Sequence, residues 1–132
     1  MCAPFERNPK HPEALIHKGI SGNILRSKSE AIIDTFLHTN QLPYRYECKL
    51  VLGQETLYPD FTIRHPKTGE IYYWEHFGKM DDPSYYRKVF PKLRLYTSHN
   101  IIPSINLITT FETQDNPLTV DVIEKIIQHY FF

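Results

Sequence analysis

The 132-residue sequence predicts an α/β protein, with a central mixed four-stranded sheet flanked by helices and an extra C-terminal helix. Three observations predict this class. A capped, apolar-striped helix over 27–40 precedes three strand-like segments over 44–77 that are joined by tight turns. A helical segment over 82–98 then leads to a fourth strand. Because a helix connects the third and fourth strands, those two should pair in parallel.

The bulk composition describes one globular domain of 41% hydrophobic and 23% charged residues. The sequence has neither a long apolar run nor a signal-peptide pattern, so it predicts a cytoplasmic protein with no membrane segment. Cys2 and Cys48 form no CxxC pair, which fits a reducing compartment. The net charge is zero, so any nucleic-acid-binding surface would have to be local.

Residues 1–22 carry three prolines and no periodicity, and are expected to form an irregular N-terminal arm ahead of a single domain over 23–132. The first helix should begin at Ser27, a good N-cap, with Glu30 completing a capping box. Ile33 and Leu37 mark its buried face. Glu30 borders that face, so a capping role and an active-site role explain its carboxylate equally well.

The next three segments read as a strand meander. The strands should cover 44–52, 55–65 and 70–77, with turns at Gly53-Gln54 and at Pro66-Lys67-Thr68-Gly69. Pro59 cannot donate to a ladder and would mark a bulge in the second strand. The first turn would place Glu47 opposite Asp60. A salt bridge from Glu47 to Arg45 or Lys49 is the simplest expectation for that acid.

The second turn sets up an acid pair. Counting back from a four-residue loop, His65 pairs with Glu70 and Asp60 faces Glu75. Opposed carboxylates this close repel by about 3 kcal/mol at an effective dielectric near 20. Such a pair calls for a metal ion, a proton or a nearby Lys or Arg. Ligation by oxygen alone suits Mg²⁺ or Mn²⁺ better than zinc.

The rest of the chain completes the sheet. Asp82-Pro83 should begin a helix that runs to about residue 98 and is kinked or interrupted by Pro91. The segment 104–111 is expected to be a central strand buried on both faces, and 119–130 a closing helix. The second helix is basic, with Arg87 and Lys88 among its charges. It suits either a phosphate backbone or an ordinary solvated face.

The element order and three acidic segments resemble the PD-(D/E)xK nuclease superfamily, whose restriction-endonuclease-like core is αβββαβ. The carrying residues are Glu30, Pro59-Asp60-Phe61 and Glu75-His76-Phe77-Gly78, and the resemblance covers about residues 26–111. The PDF and WEHFG segments look most similar to small bacterial, helicase-associated members.

The resemblance implies metal-dependent hydrolysis of DNA phosphodiesters, with RNA not excluded. Mg²⁺ or Mn²⁺ would be held by Asp60, Glu75 and the backbone carbonyl of His76, with Glu30 completing the acidic shell. By strand alternation the His76 side chain should point away from Glu75. A second copy of the chain and a helicase are the protein partners that the resemblance suggests.

One position departs from the family pattern, because Phe77 stands where a lysine usually follows the second acid. A lysine from another element would have to replace it, and the order of preference is Lys92, Lys49, Lys79. Lys88, Arg87 and Lys49 are the expected nucleic-acid contacts. The alternative is a catalytically inactive nuclease-fold module that binds nucleic acid or a partner protein.

Overall fold

A computed structural model describes residues 5–132, and it has the mixed α/β architecture that the sequence predicts. The first four residues of the predicted arm lie outside the described part. The strands are β1 (His17–Lys18), β2 (Ile24–Leu25), β3 (Tyr44–Tyr46), β4 (Leu50–Leu52), β5 (Glu55–Leu57), β6 (Phe61–Arg64), β7 (Ile71–Phe77) and β8 (Leu107–Phe111). The helices are a 3-10 turn at Pro12–Ala14, α1 (Lys28–Thr39), α2 (Pro83–Tyr86), α3 (Val89–Ser98) and α4 (Val120–Phe131).

The main sheet has four strands in the order β3-β6-β7-β8. The first two pairings are antiparallel, whereas β7 and β8 are parallel, as the crossover through α2 and α3 predicts. The prediction that the fourth strand is central was wrong, because β8 lies at the sheet edge. Leu107 and Ile108 are buried on opposite faces, but Phe111 is 47% exposed where the edge opens.

The register of the hairpin from β6 to β7 follows the loop count. Thr62 pairs with Tyr73, and the His65 N–H donates to the Glu70 carbonyl at 2.8 Å. Gly69 closes the turn with φ of 77°, a left-handed conformation that glycine adopts without a steric penalty.

The first two long strands predicted from the sequence are each divided in the structure. Glu47 has φ of 52°, and this left-handed residue turns the chain out of the main sheet after β3. Strands β4 and β5 then form a separate two-stranded ribbon closed by the predicted Gly53-Gln54 turn. Pairing resumes at β6, where the Glu47 N–H donates to the Asp60 carbonyl at 3.0 Å, so the predicted register holds.

The N-terminal arm is more ordered than the sequence suggested. Strands β1 and β2 form a small hairpin in place of an irregular segment. Asp34, which is fully buried in α1, anchors the hairpin loop. Its carboxylate accepts hydrogen bonds from Ser21 at 2.7 Å, Asn23 at 3.0 Å and the Tyr44 hydroxyl at 2.6 Å.

The core has two layers, one on each face of the sheet. Trp74 and Ile108 pack with α1 and α4, whereas Leu107 on the opposite face packs with Tyr96 of α3 and with the β4-β5 ribbon. Pro91 interrupts the second helical segment as predicted. The break falls one turn earlier, near Arg87, because the proline ring clashes with the carbonyl four residues before it.

Candidate active site

Two acids meet at the end of the β6-β7 hairpin. Extending the observed register by one residue places Asp60 opposite Glu75, as the loop count predicts. The His76 N–H donates to Asp60 Oδ2 at 2.7 Å, just beyond the last ladder pair of β6 and β7, Phe61 with Trp74. Glu75 is 2% exposed, and Asp60 keeps part of its surface open. The hairpin thus presents one buried and one accessible carboxylate side by side.

Lys92 brings a positive charge to this pair. Its Nζ lies 2.9 Å from Glu75 Oε2, and the side chain is 33% exposed. The Tyr96 hydroxyl, one turn further along α3, donates to the same oxygen at 2.5 Å. Of the three lysines considered from the sequence, Lys92 is therefore the one found at the acids. Lys49 instead pairs with Glu6 at 2.8 Å, and Lys79 is exposed.

Phe77 occupies the position where the family pattern has a lysine. Its side chain is buried and stacks on Phe111, with ring centroids 5.2 Å apart and planes at 19°. Phe77 and Lys92 line the same small pocket. The side chain of Lys92 on α3 therefore lies near residue 77 of β7, the position at which the family pattern has its lysine.

Glu30 is the third acid of the group. Ser27 caps α1 by accepting the Glu30 N–H at 3.1 Å, and the Glu30 carboxylate bonds the Tyr46 hydroxyl at 2.6 Å. Burial raises the pKa of Glu30 to about 7, and the charges of Glu47 and Glu75 add to the shift. Glu30 is therefore close enough to Asp60 and Glu75 for their charges to interact.

The pKa of Asp60 is raised well above its ordinary value, by burial first and then by the charges of Glu30 and Glu75. Lys92 and the His76 N–H act in the opposite direction. Burial and the neighbouring acids therefore outweigh Lys92 in setting the pKa of Asp60. A cation bound beside Asp60 would lower that pKa.

The oxygen donors near Asp60 and Glu75 suit a magnesium-type ion that takes only some of its ligands from the protein. Within residues 5–132, no group of three or more His, Cys, Asp or Glu side chains converges as metal ligands would. Asp60 and Glu75 nonetheless supply two carboxylates. The N–H and C=O of a strand residue point to one edge, so the His76 carbonyl faces the Asp60 side. Two carboxylates and a backbone oxygen suit Mg²⁺, which keeps several water ligands.

Several side chains around the acids take roles that the sequence left open. The His76 ring contacts Thr110 at 2.8 Å and Glu112 at 2.5 Å, so it points away from Glu75 as expected. Glu47 pairs with Arg26 at 2.6 Å, so the expected salt bridge to Arg45 or Lys49 was wrong, because the turn at Glu47 aims its side chain at the start of α1. The sequence placed Tyr96 on one helix face with Lys92 by its i+4 spacing, but it did not predict that the Tyr96 hydroxyl contacts Glu75.

An open cleft of about 510 Å³ reaches Glu30, whereas Asp60 and Glu75 are not among its lining residues. Its lining comes from the N-terminal arm, the start of α1, the end of β7 and α2; it comprises His11, Ala14, Arg26, Ser27, Glu30, His76, Gly78, Lys79, Tyr85 and Glu112. The expected nucleic-acid contacts Arg87 and Lys88 are exposed between α2 and α3.

No protein-family model, curated protein or solved structure matches this chain. Within the described residues, no helix is both long enough and apolar enough to cross a bilayer.

Proposed function

We propose that this protein is a nuclease of the restriction-endonuclease-like fold that hydrolyses DNA phosphodiesters with Mg²⁺ or Mn²⁺. The observation that carries the proposal is the Lys92 amine, 2.9 Å from Glu75 in a site that also holds Asp60. Two acids at the end of the inner strand pair β6-β7, with a lysine from the neighbouring helix, form the constellation expected for this reaction.

Asp60, Glu75 and the His76 carbonyl would hold the metal, which when bound polarises the phosphate and lowers the pKa of a water molecule. The chain itself orients these groups. The His76 N–H fixes the Asp60 carboxylate, and Tyr96 and Lys92 together fix Glu75. The Lys92 side chain is 33% exposed, and its ammonium is placed to donate to a phosphate oxygen or to an attacking water.

The inactive-module alternative drew its support from Phe77 and from the zero net charge. The position of Lys92 weakens the first argument, because a lysine at the acids removes the need for one at residue 77. The second argument is weakened by the charge distribution. Residues 79–94 contain five Lys or Arg and two Asp, so a basic surface exists locally.

A cleavage assay tests the proposal. Wild type, Asp60→Ala and Asp121→Ala would be incubated with single-stranded, duplex and branched DNA, and with RNA, in Mg²⁺ or Mn²⁺. We expect cleavage by wild type and by Asp121→Ala, whose side chain lies on exposed α4. Asp60→Ala should lower the rate at least about 100-fold, since even outer partners of metal ligands contribute about 10–100-fold.

Two results would count against this function. Cleavage that survives Asp60→Ala would remove the acid pair from the chemistry. Metal-independent DNA binding without any cleavage by wild type would favour the inactive module.

A further inference from the structure

A second, smaller pocket of about 250 Å³ lies beside Lys92. It is lined by Phe77, Tyr85, Lys88, Val89 and Lys92. Phe77 and Val89 are buried and give it an apolar floor, whereas Lys88 is exposed at its rim. The pocket therefore has aromatic and aliphatic walls, and residue 77 contributes an apolar ring to them.

Tyr85 forms the wall between this pocket and the larger cleft, since it lines both. Its hydroxyl accepts the Gly78 N–H at 3.2 Å, which fixes the ring against the end of β7. The same contact leaves the hydroxyl proton free to donate elsewhere, because the oxygen serves Gly78 as an acceptor. Tyr85 thus offers a held aromatic face next to the reactive end of Lys92.

This combination matches one chemical shape. A flat, largely apolar ring would contact Phe77, Tyr85 and Val89, and an anionic group attached to it would meet the two lysines. A nucleotide has that construction, because its base is a planar ring and its phosphate carries the charge. Aromatic side chains beside basic ones are how proteins bind bases that have left the helical stack.

We propose that this pocket receives the base of an unpaired nucleotide next to the scissile phosphate, so that the substrate class is single-stranded or locally unpaired nucleic acid. The inference rests on the proposed function, since Lys92 links the pocket to the acids. In a continuous duplex each base is paired and stacked, and it could enter only after it had been extruded.

Binding by the wild-type protein in EDTA tests the pocket separately from cleavage. Fluorescence anisotropy would compare an oligothymidylate strand, an abasic strand of the same length, and a blunt duplex. We expect the abasic strand to bind about 10-fold more weakly than oligothymidylate, as loss of one base–aromatic contact predicts. The duplex should also bind more weakly than the single strand.

Three variants assign that base dependence to Tyr85. Tyr85→Ala should bring the ratio of abasic to normal dissociation constants close to one, whereas Tyr85→Phe keeps the ring and should keep the ratio. Tyr86→Ala is the matched control, because Tyr86 is a neighbouring exposed tyrosine of α2 that does not line the pocket. The ratio is internal to each variant, so a general loss of affinity in Tyr85→Ala does not mimic the effect.

Equal affinity for abasic and normal strands in wild type would overturn the inference. So would duplex that binds as tightly as single strand, or an unchanged ratio in Tyr85→Ala. If wild type shows the base dependence but never cleaves in Mg²⁺ or Mn²⁺, the pocket stands and the nuclease function falls. If it cleaves without base dependence, the nuclease stands and the pocket falls.

Discussion

The positive charge beside Asp60 and Glu75 comes from Lys92 on α3. Strand β7 does not supply it, since its last residue is the buried Phe77. Lys92 contacts a carboxylate that is almost fully buried, and Tyr96 shares the same oxygen. A buried carboxylate needs partners of this kind to remain ionised. The lysine therefore has two functions, one in stabilising Glu75 and one in the proposed chemistry.

Replacing Lys92 by methionine should reveal both functions. The cleavage rate should fall by about 10²–10³, the usual effect of removing one donor that stabilises transition-state charge. The free energy of unfolding should fall by about 1–3 kcal/mol, because Glu75 loses a partner in a site that is only partly open to water. Single-turnover cleavage and urea denaturation measure the two effects.

Lys125→Met is the control for this substitution, since Lys125 is an exposed lysine of α4, away from the acids and from the pocket beside Lys92. Lys125→Met should leave the single-turnover rate close to that of wild type. An equal loss in both variants would mean that Lys92 acts only as a surface charge.

Glu30 makes the stability of the metal-free protein depend on pH. Its pKa is raised from 4.5 in the unfolded chain to about 7 in the folded one. Below the lower value the acid is protonated in both states. As pH rises from there to about 7, the unfolded chain ionises first, so the free energy of unfolding falls and then levels off.

The expected fall from Glu30 is at most about 3.5 kcal/mol, because its pKa rises from 4.5 to about 7 and one pKa unit corresponds to about 1.4 kcal/mol. Urea denaturation in EDTA at about pH 5 and about pH 8 measures it. Asp60 shifts in the same direction, so the comparison is between wild type and Glu30→Gln. A pH dependence that is as steep in the variant as in wild type would exclude Glu30 as its source.

At the scale of secondary-structure elements, polar contacts of Asp34 join the N-terminal hairpin to α1, beside the apolar contact that buried Leu25 makes with the same core. The carboxylate accepts from Ser21, Asn23 and Tyr44, which come from the β1-β2 loop and from β3. Gly19 lies so close that a Cβ there would be 2.2 Å from Asp34 Oδ2. The loop, the helix and the sheet edge thus meet at one buried acid.

Asp34→Ala should lower the free energy of unfolding by about 3 kcal/mol, because three partly buried donors lose a fully buried acceptor. Asp121→Ala, on the exposed surface of α4, should change it by less than about 0.5 kcal/mol. Urea denaturation measures both. Similar small effects in the two variants would show that the hairpin is held mainly by apolar contacts.

The elements that the sequence predicted well are those specified by local chemistry. Ser27 and Asp82 are N-caps as expected, and the Pro66–Gly69 loop fixed the register that brings Asp60 to Glu75. Pro59 marked the interruption of the second predicted strand, which falls between β5 and β6. The break after β3 could not be predicted, because the left-handed turn at Glu47 depends on tertiary contacts, including its ion pair with Arg26. The same holds for Asp34, whose partners lie 10 to 13 residues away.

At the scale of the whole molecule, a net charge of zero conceals a separation of charge. Residues 79–94, which include α2 and most of α3, contain five Lys or Arg and two Asp. Residues 112–132, which include α4 on the opposite face, contain four Asp or Glu and one Lys. An anionic strand approaching this molecule would be attracted to the α2-α3 side and repelled from the other.

This separation predicts which charges set the salt dependence of DNA binding. Each phosphate contact releases counterions, so removing one contact reduces the slope of log affinity against log salt by about one. Lys88→Ala and Arg87→Ala should each reduce the slope by about that amount in EDTA. Lys125→Ala removes an exposed lysine from α4 and should leave the slope unchanged. If all three variants lowered it equally, binding would follow overall charge rather than the α2-α3 surface, and the strand would not be led to Lys92 and the acids.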